Sequence, residues 1–148
     1  MIIAVDFDGT IVEHEYPAIG KEVPFAIETL KKLQYEDYHR LILWTVRTGR
    51  LLDEAVEYCR QRGLEFYAVN KNYPEEEFDE TIISRKLNAE LYIDDRNWGG
   101  LPDWGLIYQN INMQVDYSSI NFLKKTKNAS KRNIFIRFGE WLEKGEKE

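Results

Sequence analysis

Four short apolar runs alternate with helical patterns along this chain, and that alternation strongly constrains its fold. The runs lie near residues 2–6, 41–45, 66–69 and 91–94. Apolar residues recur at helical spacing after Pro24, and again from Leu51 to a helix end near Gly63. Strands that alternate with helices form parallel sheets. We therefore expect an α/β fold in which a central parallel sheet is flanked by helices in three layers.

Polar side chains stand at the ends of three of these runs. Asp6 and Asp8 follow the first run, Thr45 ends the second, and Asp94 and Asp95 end the fourth. The carboxyl ends of parallel strands meet at one edge of the sheet, so these residues are expected to converge. Adjacent carboxylates repel each other unless a cation relieves the repulsion. The sequence therefore predicts a Mg²⁺ site at this edge.

The first run enters a loop whose residues suit phosphoryl transfer. Asp6 is the candidate nucleophile, because an aspartate with an ordinary pKa of about 3.9 is already ionised at neutral pH. Asp8 is the candidate general acid toward the leaving oxygen. Gly9 permits a backbone conformation that a side chain would obstruct, and Thr10 supplies a hydroxyl beside the incoming anion. We expect Gly9 and Thr10 to contact the substrate.

Cationic side chains near the other strand ends are candidates for binding the phosphoryl group. Lys86 precedes the fourth run, on a short helix predicted from Ile82, Ile83 and Leu87, and its ammonium could neutralise the nucleophile. Lys71, after the third run, is the competing lysine. Arg47, in the loop after Thr45, is the arginine expected to bind phosphate, whereas Arg96 is expected to pair with a neighbouring acid.

These residues together resemble the four motifs of the haloacid dehalogenase-like hydrolase superfamily. The matching residues are Asp6-Phe7-Asp8-Gly9-Thr10, Thr45, Lys86 and Asp94-Asp95. The resemblance spans about the first 110 residues, and its first motif is the specific one. It implies a Rossmann-like sheet, Mg²⁺ dependence and an aspartyl-phosphate intermediate on Asp6. It also implies phosphoryl rather than carbon-halogen chemistry, since the dehalogenases lack the second aspartate.

The resemblance further implies a metal held by Asp6, by the backbone carbonyl of Asp8, and by Asp94 or Asp95. The segments between the motifs are too short for a separate cap domain, although residues 13–23 could form a small flap. Capless members of the superfamily act on large substrates or use a neighbouring subunit as a lid. A homo-oligomer is therefore one of the alternatives.

Length and composition indicate a single domain over residues 1–148. Residues 1–112 would form the catalytic core, and residues 113–148 a C-terminal extension that packs on the core or on a neighbouring subunit. The formal net charge of −6 disfavours a nucleic-acid binder. The single cysteine, Cys59, is expected in the core. No leader or membrane-spanning pattern occurs, so a cytoplasmic location without membrane partners is expected.

The sequence thus predicts a Mg²⁺-dependent phosphatase that acts on a small-molecule phosphate ester. Two alternatives remain open: a non-catalytic phosphate-binding or scaffold protein, and a nucleic-acid end-processing phosphatase that uses the basic segment within residues 124–148. Retention of both Asp6 and Asp8 argues against the first. A further open question is whether Trp98 and Trp104, after the fourth strand, stack on a substrate ring or only pack over the sheet edge.

Overall fold

The computed structural model describes residues 1–113 and contains four strands and three helices in that range. Met1–Tyr108 form one compact unit, and a second unit begins at Gln109. The predicted extension lies, except for Met113, outside the described residues. In chain order the elements are β1 (Ile2–Val5), α1 (Ala26–Tyr35), β2 (Arg40–Leu43), α2 (Gly49–Arg60), β3 (Ala68–Val69), β4 (Leu91–Ile93) and α3 (Trp104–Asn112).

The four strands form one sheet in the order β3-β2-β1-β4, and all neighbouring pairs are parallel. This confirms the predicted α/β fold with a central parallel sheet; the three-layer arrangement stays a prediction. β1 has a partner on each side, with Ile3 opposite both Leu41 of β2 and Leu91 of β4. Ile3 and Val5 are completely buried. A strand with neighbours on both sides and burial on both faces is continuously apolar, which explains the first run.

The chain changes direction between β1 and β4. It proceeds from β1 outward through β2 to β3, and then returns to place β4 on the opposite side of β1. Loops leaving the carboxyl ends of two such strands diverge and leave a crevice between them, where proteins with open α/β sheets bind their ligands. The loops after β1 and β4 border this crevice, and they carry the predicted acidic residues.

The first two helices bury the apolar stripes seen in the sequence. α1 buries Ile27, Leu30 and Leu33 and packs against β2. α2 buries Ala55 and Cys59. Burial raises the pKa of the Cys59 thiol to about 12, so this group is a neutral thiol at physiological pH and serves as a small core residue.

One local prediction was wrong: residues 82–87 are irregular rather than helical, and Ile82 is exposed. α3, which begins at Trp104, was not predicted from the sequence. Asp103 starts this helix by accepting a hydrogen bond from the Leu106 N–H at 2.9 Å, which is the behaviour of an N-cap residue. The Pro102-Asp103 pair was the available sequence signal.

Residues 13–23, the predicted flap, fold back beside the loop after β1. The Glu13 N–H donates to the Lys21 carbonyl at 2.7 Å, and the Val23 N–H donates to the Ile11 carbonyl at 2.9 Å. Within residues 1–113, the segments that join the strands contain single helices and loops and no cap domain. No helix in this range is long and apolar enough to cross a membrane.

Candidate functional site

Three carboxylates converge at the carboxyl edge of the sheet, as the sequence predicted. Asp6 follows β1, and Asp94 and Asp95 follow β4. Each offers an oxygen atom, and these atoms all lie within 4.8 Å of one another. The Asp6 N–H donates to the Ile93 carbonyl at 3.0 Å, which extends the β1–β4 pairing into the site. Strand pairing therefore sets the spacing between these acidic groups.

The loop after β1 also holds Asp95 in place. The Thr10 hydroxyl accepts a hydrogen bond from the Asp95 N–H at 3.0 Å. Gly9 has φ +87°, and a Cβ atom there would lie 2.4 Å from the Asp95 Oδ2 atom. Gly9 is thus required both by its backbone conformation and by this close approach. The structure gives Gly9 and the buried Thr10 a role in positioning Asp95, and their contact with substrate stays a prediction.

The charge in this cluster is poorly compensated. Burial raises the pKa of Asp6 to about 7; the Phe7 N–H opposes this shift, and the charges of Asp94, Asp95 and Asp8 add to it. The Asp95 Oδ1 atom is buried and has no hydrogen-bond partner among the described residues. A group of carboxylates with a buried, unpartnered oxygen matches the ligands that a hard divalent cation requires. Asp6, Asp94 and Asp95 therefore fit Mg²⁺.

Asp8 is not one of these three carboxylates and forms a buried ion pair with Arg47. The Arg47 Nε atom donates to one carboxylate oxygen at 2.7 Å, and Nη2 donates to the other at 2.6 Å. Asp8 is 4% exposed and Arg47 is completely buried. Both carboxylate oxygens accept from one guanidinium, a bidentate arrangement that fixes the orientation of the carboxylate.

The rest of the Arg47 guanidinium binds the flap. It donates to the carbonyls of Pro17 at 3.1 Å and Ala18 at 2.8 Å, and it lies 5.3 Å from the centre of the Tyr16 ring. The hydrogen bond to Asp8 raises the pKa of Arg47 further above its ordinary value, so the group remains a cation. Four of its five N–H donors are engaged inside the protein and the side chain is completely buried, so the structure does not support the prediction that Arg47 binds phosphate. Arg47 instead links Asp8 to the flap.

A cavity of about 170 Å³ opens beside the acidic cluster. The described residues that line it are Asp6, Asp8, Trp44, Thr45, Val46, Asp94 and Arg96. Thr45 lies two residues beyond the end of β2, where its N–H donates to the Asn70 side-chain carbonyl at 2.8 Å. Arg96 was expected only to pair with an acid, yet it is the cation that the structure brings into this cavity.

The two predicted lysines do not line this cavity. Lys86 is exposed, and its ammonium lies 5.5 Å from the centre of the Tyr92 ring. The Lys71 ammonium donates to the Pro74 carbonyl. Neither placement supports a contact with a phosphoryl group bound at Asp6. Their catalytic and binding roles stay predictions without structural support.

Sequence reasoning missed the apolar wall of the cavity. Trp44 was assigned only to the second apolar run, and Val46 received no role. The signal was available, since a tryptophan and a valine flank Thr45 directly after a strand. By contrast, the expected aromatic residues do not line the cavity: Trp98 is 98% exposed, and Trp104 is buried with its indole N–H donating to the Thr10 carbonyl.

The sequence and fold are similar to those of a conserved protein from Bacteroides thetaiotaomicron. The two are 65% identical, the match covers 81% of this chain and 96% of that one, and the TM-score is 0.74. The chain belongs to the same family as that protein. No protein-family model matches the sequence, and a comparison with curated proteins finds no match.

The buried Asp8–Arg47 pair generates a prediction about stability. Arg47→Met should lower the free energy of unfolding by about 3–5 kcal/mol, because it leaves Asp8 buried without its partner. Adding Asp8→Asn to Arg47→Met should recover part of that loss by removing the unpaired charge. Denaturant unfolding of the full chain, followed by circular dichroism, measures both effects.

Arg50→Met is the matched control, since Arg50 forms an exposed ion pair with Glu54 one helical turn away. That variant should change stability far less, because an exposed pair contributes little. Equal losses for Arg47→Met and Arg50→Met would contradict the importance of the buried pair.

The raised pKa of Asp6 predicts a pH-dependent stability in the absence of divalent cations. Its ordinary pKa is 3.8, so between about pH 4 and pH 7 the folded protein retains a proton that the unfolded chain releases. The free energy of unfolding therefore falls as pH rises through this window. The destabilisation caused by ionised Asp6 reaches its full size above about pH 7. Asp6→Asn does not titrate and should have the higher Tm near pH 8, with the difference vanishing near pH 4.

Thermal unfolding in a chelator measures this difference, with Asp53→Asn on the exposed side of α2 as the control. Added Mg²⁺ should raise the Tm of the unmodified protein more than that of Asp6→Asn, because the cation binds only the folded state. A difference in Tm between Asp6→Asn and the unmodified protein that does not depend on pH would argue against the raised pKa.

Proposed function

We propose that this protein is a Mg²⁺-dependent phosphatase that hydrolyses a phosphomonoester through an aspartyl-phosphate intermediate on Asp6. The observation that carries the proposal is the convergence of Asp6, Asp94 and Asp95, whose oxygens lie within 4.8 Å of one another at the carboxyl edge of a parallel sheet. Asp6 also lines a cavity that a phosphoryl group can enter. The order of the site residues along the chain, similar to that of the haloacid dehalogenase-like hydrolases, supports the same chemistry.

The acidic groups divide into two sets with different tasks. Asp94 and Asp95, together with Asp6, are the side chains that would hold Mg²⁺. When bound, Mg²⁺ neutralises charge on the cluster and on the transferred phosphoryl oxygens. Ionised Asp6 supplies the attacking oxygen, and the bond between phosphorus and the leaving oxygen breaks as the new bond forms. The hydrogen bond from the Asp6 backbone N–H to the Ile93 carbonyl fixes the backbone of Asp6 beside the end of β4.

Asp8 is the candidate for proton transfer, because it lines the cavity two residues after the nucleophile. It would give a proton to the leaving oxygen and later take one from the water that hydrolyses the acyl phosphate. Both of its oxygens accept one hydrogen bond from Arg47, and each keeps a second lone pair at which a proton could be held. Thr45 and Arg96 are the cavity residues with donors available for the phosphoryl oxygens.

The alternative of a non-catalytic phosphate-binding protein shares this site and differs in turnover. Intact carboxylates at both Asp6 and Asp8 favour the enzyme. The alternative of nucleic-acid end processing depends on the basic segment within residues 124–148, which lies outside the described residues. A small-molecule phosphate ester therefore remains the proposed substrate class, and Mg²⁺ the proposed cofactor.

Activity and labelling of the full chain test the proposal. The unmodified protein should hydrolyse an aryl phosphate with Mg²⁺ and not with a chelator. Asp6→Asn should lower kcat by at least about 10³-fold, because the amide removes the nucleophile and keeps its shape. Acid quenching during turnover should trap a hydroxylamine-sensitive phosphoryl group on Asp6, identified by mass spectrometry.

Asp53→Asn serves again as the control and should retain activity. Equal turnover by Asp6→Asn would exclude Asp6 as the nucleophile, and turnover independent of divalent cations would exclude the metal site. Mg²⁺-dependent binding of a phosphonate without turnover of any phosphate ester would favour the phosphate-binding alternative.

A further inference from the structure

The cavity beside Asp6 has an acidic wall and an apolar wall, and only the acidic wall is used by the proposed chemistry. Trp44 and Val46 form the apolar wall. The Trp44 backbone N–H donates to the Val5 carbonyl at 2.8 Å. Trp44 therefore lies beside Val5, which is the last residue of β1 and directly precedes Asp6. An aromatic side chain is thus placed next to the point where the phosphoryl group would be attacked.

The indole of Trp44 is held in place by packing against neighbouring side chains. Its ring centre lies 5.2 Å from that of Tyr92, with the planes at 65°, an edge-to-face arrangement. It also packs against a buried cluster that contains Ala4, Ile42, Ala68 and Leu87. The Tyr92 hydroxyl donates to the Leu87 carbonyl, which secures the second ring in turn. Trp44 is half-buried, so its packed part is immobilised while the remainder lines the cavity.

Val46 extends this wall into solvent. It is 72% exposed, although both of its neighbours are held firmly. The Thr45 N–H is bonded to Asn70, and the Arg47 N–H donates to the Thr45 hydroxyl at 3.2 Å. An exposed valine on an anchored loop, next to a half-buried tryptophan, gives the cavity a rigid apolar surface. Apolar ligand surface gains free energy when it leaves water for such a wall.

From these observations we infer that the site selects phosphomonoesters whose leaving group carries an aromatic ring, which lies against Trp44 and Val46. This inference rests on the proposed function, since it names the substrate class of the same site. The cavity of about 170 Å³ is open to solvent, so a ring can lie against Trp44 and Val46 while the rest of the leaving group extends out of the cavity.

Two phosphate esters of primary alcohols test the inference: benzyl phosphate and 2-hydroxyethyl phosphate. Their leaving alcohols have similar acidity, so they differ chiefly in the aromatic ring. The full chain with Mg²⁺ should show a kcat/KM about tenfold higher for benzyl phosphate, mainly through a lower KM. Trp44→Leu should abolish this preference. Equal kcat/KM values for the two esters would overturn the inference.

Trp98→Leu is the matched control, because it makes the same change at a tryptophan that is 98% exposed and does not line the cavity. Trp98→Leu should keep the preference for benzyl phosphate. Loss of that preference in Trp98→Leu would overturn the assignment of the ring contact to Trp44. Since Trp44 also packs against the core, the Tm of Trp44→Leu should be compared with that of the unmodified protein. Val46→Ser, at an exposed position, should reduce the preference without that complication.

Calorimetric binding of benzylphosphonate and methylphosphonate, which are not hydrolysed, separates the ring site from the chemistry. With Mg²⁺, benzylphosphonate should bind about tenfold more tightly, and the difference should disappear in Trp44→Leu. If this holds while neither ester is hydrolysed, the ring site stands and the phosphatase proposal fails. If both esters are hydrolysed with equal efficiency and both phosphonates bind equally, the phosphatase proposal stands and the ring site is excluded.

Discussion

Pairing of β1 with β4 is the constraint on which the site depends. These strands are distant in sequence, and their parallel register places Val5 opposite Ile93. The hydrogen bond from the Asp6 N–H to the Ile93 carbonyl then carries the pairing one residue beyond β1. As a result, Asp6 and Asp94 leave adjacent strands at the same level. The close spacing of these carboxylates is a consequence of backbone hydrogen bonding, and the burial of β1 keeps that backbone rigid.

Four aspartates and two arginines determine the electrostatics around the cavity. One arginine forms an ion pair with one aspartate, and the other three aspartates lie close to one another. Arg47 is committed to Asp8, in a buried bidentate contact, and Arg96 is exposed at the cavity. Asp6, Asp94 and Asp95 retain mutual repulsion, which contributes to the raised pKa of Asp6. A cation at this cluster would lower that pKa and keep the nucleophile ionised. The same residues that make the cation-free site unfavourable would thus make a metal-bound site reactive.

The sequence predicted the parts of the fold that depend on local pattern. Apolar runs located all four strands, and helical spacing located α1 and α2. Convergence of Asp6, Asp94 and Asp95 also followed, because parallel strands align their carboxyl ends. The failure arose where the apolar pattern was too short to specify a helix without tertiary packing. Ile82 and Ile83 suggested a helix, but residues 82–87 are irregular in the structure.

Side-chain direction was the information that the sequence lacked most. Arg47 lies two residues after Thr45, and nothing in the sequence distinguishes a guanidinium that faces a ligand from one that turns inward. The choice depends on Asp8 and on two flap carbonyls, at positions 17 and 18, whose approach depends on the folding of residues 13–23. Thr10 was likewise predicted to contact a ligand from its hydroxyl group alone. The sequence did not reveal that this hydroxyl accepts a hydrogen bond from the Asp95 N–H in the loop after β4.

The apolar wall follows from the same geometry. The proposed preference for an aromatic ring rests on surfaces that belong to the described core itself. Trp44 provides such a surface because the sheet positions its backbone beside Val5 and Tyr92 braces its ring. A surface fixed in advance costs little conformational entropy when a ligand binds, whereas a flexible lid must be ordered each time. A rigid aromatic wall next to the proposed nucleophile could therefore select the group attached to a phosphate with little loss of conformational entropy.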